Sequence, residues 1–289
     1  MNRAIRRLVS KLHGRNKLIF FIVLAMVCIV ALSIGIYTQF FYKYSETDPL
    51  MMGINIGSQK TAEECAILEA EFNNIFKNEL LINSENVRTD KIETDKGLVY
   101  TGYNLVNEDE TYYTVNAQIP VVNINTDIAK AINKEIIEEF YEKANSVMRQ
   151  TEQNIVYNVS YQAFINKDVL SVVIRSSLKE SNKPEKVTIK TYNYSIPDKK
   201  IVNLEQLIEA KEKSKDEVQS LINDEIKTAD TNAKIIAAEY GNLYERDLKS
   251  DMYKVENTEN FFLTQEGYIY IIYCYGNKDY TNEIDIIIF

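Results

Sequence analysis

Carboxylate side chains are the residues in this sequence that could most readily carry out acid–base chemistry. The chain has 42 Asp and Glu residues against 33 Lys and Arg residues, and two carboxylates on either side of a glycosidic bond can hydrolyse it. Most of these acids fall on the hydrophilic faces of amphipathic segments, so a solvated surface is the preferred interpretation. The acids considered for such a pair are Glu108, Asp109, Glu110, Glu138, Glu139, Asp224 and Glu225.

Histidine-dependent chemistry has little support in the sequence. The single histidine is His13, and the chain has no tryptophan. Ser-His-Asp and Cys-His sites need an imidazole base, and most catalytic zinc sites use histidine ligands. The nine glycines form no phosphate-binding motif, and the calcium-loop-like segment from Asp230 lacks the glycine required at its sixth position. The sequence therefore predicts no enzyme activity, no cofactor and no metal.

The three cysteines allow one disulfide outside the N-terminal apolar segment that contains Cys28. Cys65 and Cys274 could pair in an oxidising compartment if their α-carbons lie within about 7 Å. Alternatively, both are small buried hydrophobic residues, because Cys65 shares a predicted helical face with Leu68 and Phe72.

Tyrosine is abundant, with 20 residues, and several lie on predicted strands. A ring with a hydroxyl tip suits recognition of proteins or sugars. Packing across a sheet is the preferred interpretation, because tyrosines in strands commonly pack in this way. The ligand-binding candidates are Tyr192, Tyr194, Tyr273 and Tyr275.

An unbroken apolar run from Leu18 to Tyr37 predicts one transmembrane helix. Twenty helical residues span about 30 Å, the thickness of a bilayer's hydrocarbon core. Residues 1–17 contain basic residues and no acid, which is typical of a cytoplasmic flank. The sequence therefore predicts a signal anchor in the plasma membrane, with a cytoplasmic N-terminus and an extracellular C-terminal domain. A secretion signal cleaved near Ser33 is the alternative.

The predicted segments are a short basic cytoplasmic tail (1–17), a transmembrane helix with an outer aromatic belt (18–42), a linker with a juxtamembrane amphipathic helix (43–98) and an extracytoplasmic domain (99–289). A subdivision of that domain near residues 150–185 is left open. Six of the 33 basic residues lie in the tail, which leaves 27 against 42 acids and a net charge of −15 outside. This charge excludes nucleic acid and favours a basic protein or a neutral glycan as partner.

Capping signals at Thr61, Thr126 and Ser214 predict three amphipathic helices. Alternating apolar residues predict strands, the first of which is ended by Pro120. Helices and strands come in mixed runs with hairpin-length links, so an α+β fold with a mostly antiparallel sheet is favoured over a doubly wound parallel sheet. The predicted strands cover 115–119, 155–163, 169–174, 186–196, 260–263, 268–275 and 283–289.

Three short motifs carry a family resemblance over about Val99 to Phe289. They are Tyr113-Thr-Val-Asn-Ala-Gln-Ile-Pro120, Tyr192-Asn-Tyr-Ser-Ile with Val202-Asn-Leu-Glu-Gln-Leu207, and Asn260-Phe-Phe-Leu-Thr-Gln-Glu-Gly-Tyr268. The chain resembles a bacterial membrane-anchored ectodomain family of largely unknown function, found in the anti-sigma factor RsiV and in the non-catalytic region of the peptidoglycan deacetylase PdaC. The family's Gly-Ala-His stretch is missing here, where residues 176–184 stand instead, so the binding role of that loop is not carried over.

This resemblance implies a sensing or binding module and makes lysozyme the first basic protein to test. The sequence thus predicts a membrane-anchored, extracytoplasmic, non-enzymatic binding module of the bacterial cell envelope. Its expected partners are the membrane and either a basic protein such as lysozyme or a neutral cell-wall glycan. Two alternatives remain open, a carboxylate-dependent glycan hydrolase and a structural envelope protein that positions partners.

Overall fold

A computed structural model describes residues 60–77, 89–151, 154–241 and 243–289, all of which belong to the unit Glu46–Phe289. The predicted tail, the transmembrane segment Leu18 to Tyr37 and Cys28 lie outside the described residues. Within the described ranges, no helix is long and apolar enough to cross a membrane.

Six strands form the larger of two sheets: β1 (Val99–Asp109), β2 (Tyr113–Val122), β3 (Ile155–Asn166), β4 (Val169–Glu180), β5 (Lys186–Ser195) and β6 (Lys200–Ile201). They lie side by side in chain order. All neighbours are antiparallel except β2 and β3, which are parallel. The smaller sheet is antiparallel and contains β7 (Phe261–Leu263), β8 (Ile269–Cys274) and β9 (Ile284–Ile288).

The described α-helices are α1 (Ala62–Ile75), α2 (Asp127–Ile136), α3 (Glu142–Val147), α4 (Leu204–Ala210) and α5 (Lys215–Tyr240). A π-helical turn, Ile137–Tyr141, joins α2 to α3. The predicted N-caps are confirmed: Thr61 and Ser214 form capping boxes, and the Thr126 hydroxyl accepts a hydrogen bond from the Ala129 amide. These caps satisfy amide groups that the first helical turn leaves without partners.

The helices and sheets are stacked around three cores. The first core lies between the α2–α3 helix and the larger sheet and contains Ile136, Phe140 and most of the inward-facing residues of β2 and β3. The second lies between α4, α5 and one face of the smaller sheet. The third contains the other face of the smaller sheet, the opposite face of the larger sheet and the buried side of α1.

The predicted fold class is confirmed, since the structure is α+β with a mostly antiparallel larger sheet. The sequence predicted that Pro120 ends its strand. This prediction is wrong, because β2 continues to Val122. Pairing with β3 stops at Ala117, and the register with β1 shifts beside Gly102, so this part of β2 tolerates a residue without an N–H group. Neither β1, a largely exposed strand, nor the short α4 was predicted.

Described elements pack together on either side of the boundary at residue 99 and within the region near 150–185. α1 lies before residue 99, yet Leu68, Phe72 and Ile75 share the third core with β8 and β9. The region 150–185 contains β3 and β4, which pair with each other along their whole length. The helix before residue 99 therefore packs against strands of the segment predicted for residues 99–289.

The C-terminal strand should make a large contribution to stability. Ile288 is completely buried in the third core, and replacing a buried isoleucine by alanine costs about 2–5 kcal/mol. We expect Ile288→Ala to lower the free energy of unfolding by about 3 kcal/mol, measured by urea denaturation. Val106→Ala is the control, because Val106 is 72% exposed and its truncation should change stability by less than about 0.5 kcal/mol. Equal effects would contradict this assignment of the core.

Candidate functional site

A groove between α1, α5 and β9 combines apolar walls with an excess of carboxylates. Its volume is about 240 Å³. Ile226, Ile284 and Ile286 contribute to its walls, and the partly exposed Ile236 and Leu243 lie along it. Four carboxylates and one guanidinium also line it, and we call it the acidic groove; these groups belong to Glu69, Glu225, Glu283, Asp285 and Arg246.

A buried ion pair joins the N-terminal end of α1 to α5. Lys60 is 2% exposed, and its ammonium lies 3.0 Å from a carboxylate oxygen of Glu225. The Asn232 side chain also donates to the Lys60 carbonyl at 3.3 Å. Burial raises the pKa of Glu225, although the charge of Lys60 acts in the opposite direction. This pair holds one wall of the acidic groove in place.

A second buried cation, Arg246, holds the segment after α5 against β9. Its Nε and Nη2 atoms donate to the two carboxylate oxygens of Asp285 at 2.7 and 2.8 Å. Nη2 also lies 3.3 Å from Glu283, and Nη1 donates to the Tyr244 carbonyl at 2.9 Å. The Tyr275 hydroxyl donates to Asp285 as well. Glu283 and Asp285 are therefore already engaged in ion pairs within the fold.

Glu69 differs from the other carboxylates of the acidic groove. It is half-buried, and within the described ranges it makes no hydrogen bond or ion pair. Burial raises its pKa, Arg175 lowers it, and the charges of Asp285 and Glu283 raise it further. Glu69 is thus a partly desolvated acid that could accept a cation from outside the chain.

The structure separates the four candidate tyrosines into two pairs, all of them buried. Tyr192 and Tyr194 belong to the first core, whereas Tyr273 and Tyr275 belong to the second. The Tyr273 hydroxyl lies 3.1 Å from that of Thr258, and the Tyr275 hydroxyl lies 3.0 Å from that of Tyr253. The four residues do not converge on one ligand site, although Tyr273 and Tyr275 both line a cavity of about 550 Å³.

The disulfide left open by the sequence is not formed, because Cys65 and Cys274 are both free. Cys65 lines the acidic groove, whereas the Cys274 thiol donates to the Val187 carbonyl of β5 at 3.0 Å. The two thiols thus face different neighbours. Burial raises the pKa of each to about 11, which keeps them protonated and poorly reactive at neutral pH.

The acids considered from the sequence are dispersed in the structure. Glu108 and Asp109 are exposed at the end of β1, Glu110 is exposed in the turn that follows, and Asp224 is exposed on α5. Glu138 and Glu139 lie in the π-helical turn. The calcium-like segment from Asp230 is helical, as part of α5. Among the described residues, no three His, Cys, Asp or Glu side chains are arranged to hold a metal ion.

Two solved structures are similar to this chain. One is a DUF3298 family protein from Pseudomonas aeruginosa PAO1, with a TM-score of 0.34 and 13% identity over 58% of this chain and 76% of that chain. The other is a member of the same family from Bacteroides fragilis NCTC 9343, with a TM-score of 0.30 and 12% identity over 56% and 74% of the two chains. No protein-family model and no curated protein matches the sequence. These similarities do not assign the chain to a family.

Sequence reasoning did not identify Lys60, Glu69 or Arg246 as site residues. Each lies far along the chain from the groups that it meets: Lys60 pairs with Glu225, and Arg246 pairs with Asp285. No local spacing indicates such contacts. The only available signal for Glu69 was its position on a helix with an apolar face, which many surface acids share.

Removing one partner of the Lys60–Glu225 ion pair should lower the unfolding free energy more than replacing both partners. Lys60→Met leaves the Glu225 carboxylate buried without a cation, and Glu225→Leu leaves the Lys60 ammonium buried without an anion. Either change should lower the unfolding free energy by about 3 kcal/mol. The double variant should lose less than either single variant, as measured by chemical denaturation. Lys130→Met is the control, because its pair with Asp127 is exposed and contributes little. Additive losses would contradict a direct interaction.

Proposed function

We propose that the chain is a non-enzymatic binding module at the outer surface of a bacterial membrane and that it binds a cationic segment of a partner protein in the acidic groove. The observation that carries this proposal is the half-buried Glu69 carboxylate, which has no partner within the described ranges and lies in an apolar groove with three further acids. A lysine or arginine entering the groove would give Glu69 an opposite charge in a partly desolvated setting.

The size of the groove suits a side chain better than a free small molecule. Its volume of about 240 Å³ lies below the roughly 300–1,000 Å³ of most small-molecule pockets. The partly exposed Ile236 and Leu243 could contact the aliphatic stem of an inserted lysine or arginine, because such stems cover apolar surface while the charged head finds a polar partner. A protruding basic residue of a protein would meet both requirements.

The location of the module is proposed from the N-terminal sequence. Residues 18–37 would span the plasma membrane as a signal anchor, and residues 1–17 would remain cytoplasmic. The domain would then face the cell envelope with a net charge of −15. The resemblance to the RsiV ectodomain supports lysozyme as the basic protein to test, even though the residues at 176–184 differ from the family's pattern.

The two alternative functions make different demands on the chain. A glycan hydrolase needs two carboxylates acting on one bond, and its activity would depend on one of them. A structural envelope protein would position partners through its membrane helix and would need no acidic groove. Binding that depends on Glu69, without turnover, separates the proposed function from both.

Binding of a basic ligand should depend on Glu69. We expect lysozyme or an oligolysine peptide to bind by calorimetry, and Glu69→Gln to weaken that binding about tenfold through loss of one charge-assisted contact. Because the pKa of Glu69 is raised, glutamine should not reduce folding stability at pH 7. Glu108→Gln removes the same charge from the exposed end of β1 and should leave the affinity unchanged. If neither ligand binds, or if both variants bind equally, the acidic groove is not the site.

The same binding should respond to salt and pH. Screening shortens the reach of a charge to about 8 Å at physiological ionic strength and about 3 Å at 1 M salt, so affinity should fall as salt rises.

The ionised form of Glu69 binds the cation, and its pKa lies above the usual 4.5, so affinity should fall as the pH is lowered through that raised value. Glu69→Gln should flatten this pH dependence. Sustained release of reducing ends from peptidoglycan, abolished by one carboxylate substitution, would instead favour the hydrolase.

The membrane topology can be tested separately from ligand binding. Protease added to spheroplasts should degrade the domain and spare the first 17 residues, because the basic tail is expected to stay inside. Intact-mass analysis of membrane-extracted protein should show that residues 1–33 are retained. A mature protein that begins after Ser33 would show a cleaved signal in place of an anchor.

A further inference from the structure

A second concave surface is lined by residues 244–260 and by the segment after β8. Two cavities of about 550 and 360 Å³ both contain Glu259, Asn260 and Asn277 in their linings. They therefore adjoin, and we call them together the polar cleft. Each lies within the size range of small-molecule sites. The polar cleft shares no lining residue with the acidic groove.

Asn260 is the central polar group of the polar cleft. Its residue is 6% exposed, and its backbone carbonyl accepts a hydrogen bond from the Ile272 amide at 2.9 Å. Its side-chain amide makes no hydrogen bond within the described ranges. Because its amide atoms are not enclosed in the interior among the described residues, they are accessible from the cleft. Two donors and one acceptor are thus available to a molecule in the cleft.

The charges around Asn260 are close to balanced. The smaller cavity is lined by Glu139 and Glu259 together with Lys186 and Lys190. Burial raises the pKa of Glu139, while the charge of Lys190 lowers it and that of Glu135 raises it. This balance favours an uncharged ligand that offers both hydrogen-bond donors and acceptors.

Two of the three acids that line the larger cavity are already paired with lysines of the same chain, and Glu259 is the third. Asp251 lies 2.7 Å from the ammonium of Lys254, and Glu256 lies 3.1 Å from that of Lys215. Lys278 adds one basic group to the lining. Little charge therefore remains in this part of the cleft to select an ionic ligand.

The polar cleft also offers a partly exposed aromatic ring. Tyr244 is half-buried, and its ring is stacked on that of Tyr275 with centroids 4.2 Å apart. Met252 and Ile272 add apolar surface to the same cavity. A rigid ring with a polar tip beside hydrogen-bonding amides suits a ligand with both apolar faces and polar edges.

The helical segment that supplies Glu139 is irregular. Glu139 lies in the π-helical turn Ile137–Tyr141, and such turns are rare and frequently occur at functional sites. Glu139 lines the cleft together with residues of β5.

From these features we propose that the polar cleft binds a neutral oligosaccharide. Asn260 would hydrogen-bond to hydroxyl or acetamido groups, Glu259 would accept from a further hydroxyl, and the Tyr244 ring would pack against a sugar face. The proposal does not depend on the acidic groove, since the two sites share no residues. Either site could therefore fail its test while the other passes.

The test uses full-length protein in a detergent whose head group is not a sugar. Chitotriose, maltotriose and xylotriose are titrated by calorimetry, with the tripeptide trialanine as the non-sugar probe. At least one trisaccharide should bind, and Asn260→Ala should weaken it about tenfold, as expected for loss of one well-placed hydrogen bond or more. Asn107→Ala is the matched control, because Asn107 is exposed on β1, and its affinity should equal that of the wild type.

Glu259→Gln provides a second variant, because Glu259 is exposed and its substitution should not disturb folding. It should also weaken sugar binding. Failure of all three trisaccharides to bind at concentrations of about 10 mM, tenfold above the Kd of about 1 mM that corresponds to weak binding, would overturn the proposal. Sugar binding that both variants leave unchanged would also overturn the proposal. So would binding of trialanine in place of the sugars, if Asn260→Ala abolished the trialanine binding.

Discussion

The two sheets are joined where unpaired strand edges receive hydrogen bonds from side chains, and both concave surfaces depend on this contact. β5 pairs with β6 only at Tyr194 and Ser195, which leaves most of its outer edge without a neighbouring strand. The Asn277 side chain accepts from the Ile189 amide and donates to the Ile189 carbonyl, each at 3.1 Å. The Val187 amide donates to the Thr281 carbonyl at 3.0 Å. Residues 275–281 therefore protect an edge that would otherwise be open to another chain.

The free backbone groups of β7 form hydrogen bonds with side chains of the larger sheet. The Phe261 amide donates to Thr191 at 3.0 Å, and its carbonyl accepts from Asn193 at 2.7 Å. The Leu263 amide donates to the Ser171 hydroxyl at 3.1 Å. Gly276 permits the close approach, because a Cβ atom there would lie 1.8 Å from the Val187 carbonyl oxygen. This docking fixes β9, which forms the acidic groove, and Asn260 and Asn277, which form the polar cleft.

Local signals explain which parts of the fold could be predicted from the sequence. Helix caps at Thr61, Thr126 and Ser214 depend on residues within a few positions, and the structure has them where they were expected. β1 escaped prediction because it is a largely exposed strand without a regular apolar pattern. Glu225, Tyr273 and Tyr275 were individual candidates, but neither site was predicted as a whole, because Lys60 and Glu225, or Asn260 and Glu139, are far apart in the chain and meet only in the tertiary structure.

The acidic composition of the chain has two physical roles that the sequence does not distinguish. Glu225, Glu283 and Asp285 compensate the buried cations Lys60 and Arg246, and a buried cation without such partners would be strongly destabilising. These acids therefore stabilise the fold and have little capacity left for a ligand. Glu69 compensates no cation through a direct ion pair within the described ranges. The acidic groove thus presents one available carboxylate against a background of negative charge, so its affinity for a cation would depend mainly on one side chain rather than on the net charge of the domain.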